Sequence, residues 1–135
     1  MRNCYLRKVQ LIPTDFELYI LIGNAVIAEN FMIDTFGLPP GWQEFNLEGA
    51  VAHTWSIWSE KLEQRVFAIH APDFSPQDIA HEAVHVTWEL ARNTNFKYDK
   101  DNQEQQAYYV DWILSSALEM KGKKELIVKN NVINK

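Results

Sequence analysis

The sequence has little cysteine, little positive charge and no long hydrophobic run. Its 135 residues include one cysteine, Cys4, so an internal disulfide is excluded and a reducing compartment is expected. Lysine and arginine number 13 against 18 aspartates and glutamates, which leaves a net charge of −5. A nucleic-acid-binding surface needs a basic face, so we expect no nucleic-acid partner.

The most apolar stretch, Leu18 to Ala28, is too short to span a bilayer, so we expect no membrane partner. It resembles a signal peptide in its apolar run and small terminal residues, with basic residues upstream. However, Asp15 and Glu17 stand where a positive flank is expected, and the run begins far from the N-terminus. We therefore expect a cytoplasmic location, with secretion the less favoured alternative.

The abundant residue types, hydrophobic and aromatic, are typical of a globular domain with an aromatic core. Hydrophobic residues make up 47% of the chain and charged residues 23%, and the chain has 5 Trp, 5 Tyr and 7 Phe. The length suits one domain and is too short for two ordinary ones. We predict a single domain over residues 1–122 and a polar C-terminal tail over residues 123–135.

Apolar periodicity and chain-breaking residues predict strands in the first half of the chain and helices in the second. His53 is expected to lie opposite His70 across a hairpin, since the two flanking strands are joined by a short polar loop. The run from Phe16 to Ile22 fits either a strand or the start of a helix. The other predicted elements are strands at Cys4 to Ile12, Gly49 to Trp58 and Arg65 to Ala71, and a helix from Asn24 to Phe36 ended by Gly37.

The clearest boundary is Ser75-Pro76, which offers a serine N-cap followed by proline at the first helical position. We predict a helix from there to about Arg92. A last helix is predicted from an Asp101 cap to about Met120, and Trp88 and Leu90 are expected on the packed side of the two helices.

The first of these helices carries the motif H-E-A-V-H, residues 81–85. A spacing of four residues puts His81 and His85 on one helix face, where two imidazoles can bind one zinc ion. Glu82 lies at the flank, where it can hold a zinc-activated water and accept its proton as general base. Two core histidines are the alternative, but a charged residue between them is unusual in a core.

A catalytic zinc site needs a third protein ligand and one open position. Antiparallel pairing of the two helices leaves Glu104 and Asp111 almost equal by geometry, and Glu104 also suits a capping box after Asp101. Glu89 is too far along the helix axis to share a metal with His81. The candidate ligands are Glu89, Glu104, Asp111, His53 and His70.

The motif H-E-A-V-H, followed by E-Q-Q-A-Y at residues 104–108, resembles the gluzincin type of zincin metallopeptidases. It is closest to small phage and prophage proteins that carry H-E-x-x-H and then E-x-x-A-Y, and the resemblance covers about Ala50 to Leu114. It implies zinc ligands His81, His85 and Glu104, the general base Glu82, and a bacterial or phage-infected host cell. The implied fold is α+β, with a small, mostly antiparallel sheet packed on the motif helix and a following long helix.

The expected activity is zinc-dependent hydrolysis of a peptide or protein substrate, bound as an added strand along the sheet edge. Tyr108 stands where gluzincins carry an orienting acid, so Asp111 is the candidate to orient a zinc histidine. Tyr108 is also the first candidate for the oxyanion donor, although a tyrosine there more often packs in a core. His53 and His70 are candidates for a substrate-binding strand or a second metal. The alternative function is a catalytically silent zinc-binding phage structural or regulatory module.

Overall fold

The computed structural model describes residues 2–39, 51–97, 99–123 and 127–128. Within these ranges the chain forms five strands and three helices. The strands are β1 (Cys4–Gln10), β2 (Glu17–Gly23), β3 (His53–Ser59), β4 (Gln64–Ala71) and β5 (Ile127–Val128), and the helices are α1 (Ala25–Phe36), α2 (Pro76–Thr94) and α3 (Gln103–Leu118).

The strands form one mixed sheet in the order β3-β4-β2-β1-β5. Neighbouring strands pair antiparallel except β2 and β4, which are parallel. The fold class is therefore α+β with a mostly antiparallel sheet, as predicted. The predicted pairing of His53 with His70 is also confirmed by the β3–β4 register. β3 lies at the edge of the sheet, where nothing in the described part of the chain pairs with its outer side.

The two faces of the sheet are covered by different helices. Side chains alternate along β2, so that Leu18, Ile20 and Ile22 pack with α2 and α3, whereas Tyr19 and Leu21 pack with α1. Because both faces are covered, the central strands are apolar almost throughout. The motif helix is therefore held on one face of the sheet by its own apolar stripe, Ile79, Ala83, Val86 and Leu90.

Local capping chemistry determines where the first two helices begin. The Asn24 side chain accepts a hydrogen bond from the Ile27 amide at 3.0 Å, and Ser75 accepts one from the Asp78 amide at 3.3 Å. Pro76 occupies the first turn of α2, and Gly37 ends α1 with φ 69°. These boundaries agree with those predicted from the sequence, so the H-E-A-V-H segment lies well inside a capped helix.

Several local predictions differ from the structure. Helix α3 begins after Asn102, which makes no side-chain cap hydrogen bond, so the predicted Asp101 cap is wrong. The Trp88 side chain, expected to be packed, is 62% exposed, whereas Leu90 is 3% exposed. The stretch from Phe16 to Ile22 lies mainly in a strand, and β3 begins at His53 rather than at Gly49, which lies outside the described residues.

The C-terminal segment also contributes to the sheet. Cys4 and Tyr5 of β1 pair with the two residues of β5, and Val128 is buried. Part of the stretch predicted as a polar tail therefore extends the sheet.

None of the helices in the described ranges combines the length and the apolar composition needed to cross a membrane.

Candidate functional site

The two histidines of the motif lie side by side on the solvent-facing side of α2. Their ring centroids are 5.0 Å apart, with the rings inclined at 70°. Both side chains are exposed. This arrangement follows from the spacing of four residues on a helix, and it leaves the ring nitrogens of both histidines accessible to an ion from solvent.

Glu82 lies beside the histidines but faces the sheet, and it is only 7% exposed. The Thr54 hydroxyl of β3 donates a hydrogen bond to Glu82 Oε1 at 2.7 Å, and the same hydroxyl lies 3.2 Å from the Glu82 main-chain oxygen. Within the described part of the chain, Thr54 is the one side chain that hydrogen-bonds to this carboxylate. This hydrogen bond ties the Glu82 side chain of α2 to β3.

A cleft of about 560 Å³ is lined by residues of α2 and of the β3 segment. Consecutive strand residues alternate between the two faces of a sheet, so a run of them that lines one cleft indicates that the cleft reaches the strand edge. The cleft therefore opens along the unpaired main chain of β3. Its lining residues are Ala52, His53, Thr54, Trp55 and Ser56 from the β3 segment, and Glu82, His85, Glu89 and Arg92 from α2.

The far end of the cleft carries an ion pair between two helix residues. Glu89 Oε2 lies 3.5 Å from Arg92 Nη2, and the Arg92 side chain is 77% exposed. Exposed pairs of this kind contribute little to stability. The side chains of Glu89 and Arg92 are thus close to solvent and line the same cleft as Glu82 and His85.

Of the five predicted candidates for the third ligand, Glu89 and His53 line this cleft, whereas the two favoured ones, Glu104 and Asp111, lie on α3. Glu104 and Asp111 are both exposed and line a shallow groove along that helix. Its other lining residues are Gln103, Gln106, Ala107 and Val110.

The arrangement fits zinc only in part. Two adjacent exposed imidazoles are suitable as a ligand pair, but zinc sites in proteins use at least three protein ligands. Across the described ranges, no three or more His, Cys, Asp or Glu side chains come together in a group that could hold a metal ion. His81, His85 and Glu104 are therefore not brought together as a set, and the identity of the third ligand stays a prediction.

Tyr108 is separated from the cleft by its position on α3. It is 59% exposed, and its ring contacts Tyr109 and Trp112 of the same helix, each with centroids 6.2 Å apart. The structure does not bring Tyr108 to Glu82 or His85, and the same is true of Asp111, predicted to orient a zinc histidine.

The histidine pair of the hairpin divides between two environments. His53 is exposed and lines the cleft, and its ring contacts that of Trp55 in a tilted arrangement with centroids 4.6 Å apart. His70 is 3% exposed, and its Nε2 donates to the Gly23 carbonyl at 2.9 Å. Burial lowers the pKa of His70, while the Gly23 carbonyl raises it. Of the two, only His53 is in a position to meet a molecule in the cleft.

Thr54 and Arg92 line the cleft but were not predicted as site residues from the sequence. The alternation along β3 could have indicated that Thr54, Ser56 and Trp58 share the face turned toward a helix. It could not have shown which helix residue Thr54 meets, because that depends on how α2 lies across the sheet.

Comparison with known proteins adds no relative: no protein-family model matches the chain, and neither does any curated protein or solved structure.

Proposed function

We propose that this chain is a zinc-dependent peptidase in which His81 and His85 bind the ion and Glu82 acts as general base. One observation carries the proposal: the motif helix faces the free edge of β3 across a cleft that Glu82 and His85 both line. A free strand edge can bind an extended peptide by main-chain hydrogen bonds. Peptide and general base would then meet in one cleft.

Each part of the motif has a distinct task in this proposal. Bound zinc would supply water acidified to a pKa of about 7. The Glu82 carboxylate, at the wall of the cleft, would take up the proton and later pass it to the leaving amine. The third ligand is open between Glu104, favoured by the resemblance, and Asp111. A reducing cytoplasm, of a bacterium or of a phage-infected host, is consistent with the single buried cysteine, Cys4.

A second function has its own supporting observation. The exposed groove that holds Glu104 and Asp111 is distinct from the cleft that holds Glu82 and His85. If no carboxylate completes the ion's coordination, the chain would be a catalytically silent zinc-binding module, structural or regulatory in a phage.

The test combines zinc content with cleavage of a peptide library. We expect purified protein to contain zinc, and His81→Ala to lose both zinc and cleavage. Glu82→Gln should keep the zinc and lose cleavage by roughly 100- to 10,000-fold, since a general base contributes that much. Glu60→Gln, at an exposed turn residue between β3 and β4, is the matched control and should behave as wild type.

Two further variants separate the candidate ligands. Zinc affinity should fall in either Glu104→Gln or Asp111→Asn. The residue whose substitution lowers the affinity is the third ligand. A protein that binds zinc but cleaves no peptide, with Glu82→Gln indistinguishable from wild type, would replace the peptidase proposal with the silent module.

A further inference from the structure

We propose that the chain forms a homodimer in which β3 pairs antiparallel with β3 of a second copy, so that two sheets join into one. The dimer goes beyond the proposed function and needs no bound metal. Its contact surface is the outer edge of β3 (His53–Ser59), which has no strand partner in the described part of the chain.

Strand β3 lacks the features by which proteins keep a sheet edge from pairing. Its seven residues, H-T-W-S-I-W-S, include no lysine, arginine, aspartate, glutamate or proline. Its register with β4 is unbroken from His53 to Ser59, so no bulge in this strand bends it away from an incoming one. The opposite edge of the sheet is β5, which is only two residues long. Association between sheets is therefore favoured at the β3 edge.

Helix α2 runs beside β3 in the same direction. Just before the helix, the Phe74 ring contacts the Tyr5 ring with centroids 5.1 Å apart. Through the sheet register, Tyr5 lies at the end of the sheet where β3 begins. Near the other end of the helix, Leu90 and Thr94 line a cavity together with Pro13, in the turn between β1 and β2. That turn lies at the end of the sheet where β3 finishes, so helix and strand are parallel.

The side of α2 that lines the cleft is self-complementary in charge. It carries Glu82, His85, Glu89 and Arg92. In an antiparallel second helix, Arg92 faces Glu82 when the twofold axis lies level with position 87 of the helix. The same axis places Glu89 of the second copy opposite His85. Each carboxylate on this side of the helix is then opposite a basic side chain.

The strand reaches its own midpoint at the same level. The hydrogen bond of 2.7 Å from the Thr54 hydroxyl to Glu82 Oε1 aligns these two residues. Position 87 lies five residues further along the helix, or about 7.5 Å. Ser56 lies two residues further along β3, or about 7 Å. Ser56 is also the central residue of the strand, so the same axis pairs the whole of β3 with itself.

Pairing about Ser56 gives partners to the side chains of both faces. On the face that carries α2, it places Trp58, which is 55% exposed, opposite Thr54 of the second copy. On the other face, it places Trp55 opposite Ile57 of the second copy, so the apolar cluster that holds both residues continues across the axis. A twofold axis perpendicular to the sheet keeps the two α2 helices on one face, side by side.

The dimer covers the strand edge that the proposed peptidase would offer to an extended peptide. This consequence, unlike the dimer itself, rests on the proposed function. A peptide and a second copy of the chain would compete for the same main-chain groups of β3. Self-association would therefore regulate access to the cleft.

The test measures the dimer dissociation constant by sedimentation equilibrium in EDTA, so that no zinc is bound. We expect a dimeric wild type. Arg92→Glu should raise the dissociation constant at least roughly tenfold, because it places like charges opposite each other twice. Arg92 is 77% exposed, so the circular dichroism spectrum should not change. Ser56→Lys brings two lysines together at the axis and should weaken the dimer at least as much, by roughly 10- to 100-fold.

Lys121→Glu is the matched control. It makes the same reversal of charge at an exposed position shortly after α3. The neighbouring Glu119 pairs with Arg7 of β1, which two strands separate from β3. The dissociation constant of this variant should equal that of wild type.

Introduced cysteines locate the axis. Cys4 is fully buried, so the new thiol is the accessible one. Ser56→Cys should form a disulfide-linked dimer on mild oxidation, because residues directly opposite on antiparallel strands have Cα atoms about 4.5 to 5.5 Å apart. Trp58→Cys alone should not cross-link, since its two copies would lie about 14 Å apart. A mixture of Trp58→Cys with Thr54→Cys should cross-link.

The outcomes separate the dimer from the peptidase. A wild type that stays monomeric in EDTA at about 1 mM protein overturns the dimer. So does a dimer that neither Arg92→Glu nor Ser56→Lys weakens, or one that cross-links through Trp58→Cys alone and not through Ser56→Cys. The peptidase proposal fails by a different result, the absence of peptide cleavage by zinc-loaded protein.

Discussion

Gln106 of α3 donates a hydrogen bond to the Thr87 hydroxyl of α2 at 3.1 Å. Thr87 is fully buried, so this contact lies in the seam between the two helices. The side of α3 that carries Gln106 therefore faces the motif helix. Glu104 and Asp111 are exposed to solvent. His81 and His85 lie on the solvent-facing side of α2, away from Thr87, so the two histidines do not face Glu104 and Asp111 across this seam.

Replacing Gln106 by alanine should lower the free energy of unfolding by about 1 kcal/mol, since one partly buried hydrogen bond is lost. Thr87 would keep its bond to the Val84 carbonyl, which limits the cost. Gln105→Ala, at the neighbouring exposed position, should change stability by less than about 0.5 kcal/mol. Urea titrations of the two variants measure these changes. Equal losses in the free energy of unfolding would contradict the orientation of α3 relative to α2.

Gly23, at the end of β2, requires the absence of a side chain. Its φ is +133°, and a β-carbon added there would lie 2.1 Å from the Asn3 carbonyl oxygen. We expect Gly23→Ala to lower the free energy of unfolding by more than about 2 kcal/mol, because strain and a backbone clash add. Gly122→Ala is the control: its φ is +82°, but nothing lies within 4 Å of the added carbon, so about 1 kcal/mol is expected. Similar losses in thermal unfolding would contradict the close approach at Gly23.

His70 should make stability depend on pH. Burial lowers its pKa from the ordinary value of 6.5, with a smaller lowering contribution from His53. As pH falls through that value, the unfolded chain binds a proton that the native protein does not, so the free energy of unfolding decreases. The slope from this group is at most about 1.4 kcal/mol per pH unit.

The comparison of wild type with His70→Gln isolates this contribution, because the other histidines are common to both. We expect the stability difference between the two proteins to change between pH 7.5 and 5.5, with wild type losing more. Parallel stability curves over that range would show that His70 does not titrate differently on folding.

Cys4 should be chemically inert in the native protein. Its side chain is fully buried, and burial raises the pKa of the thiol to about 12. Because the thiolate is the reactive species, we expect no reaction with a disulfide reagent at pH 8 until the protein unfolds. The reaction should be immediate in concentrated urea. Prompt labelling under native conditions would contradict the burial of β1 at this position.

Local sequence chemistry accounts for the features that were predicted well. Caps at Ser75 and Gly37 act within a few residues, so they define helix ends without knowledge of the fold. The pairing of His53 with His70 follows from the length of one turn. The adjacency of His81 and His85 follows from helix geometry alone.

The features that were missed have two different origins, one local and one dependent on distant packing. Trp88 was expected inside because it is large and apolar, but Leu90 and Ile79 already define the buried stripe of α2 and leave Trp88 on the opposite side. The contact of Thr54 with Glu82 depends on the placement of α2 across the sheet. The helical spacing of this stripe could have placed Trp88 outside, whereas no periodic pattern in the sequence encodes the contact of Thr54 with Glu82.

The parallel pairing of β2 with β4 has a consequence for how the chain folds. Each antiparallel hairpin joins residues close in sequence, whereas this seam joins Leu18 to Phe67 and brings the two hairpins together. Closing so long a loop carries more entropic cost than closing a turn. We therefore expect formation of the complete sheet, and of the cleft, to be limited by the docking of the β1–β2 pair onto the β3–β4 pair. Formation of either antiparallel pair should be faster.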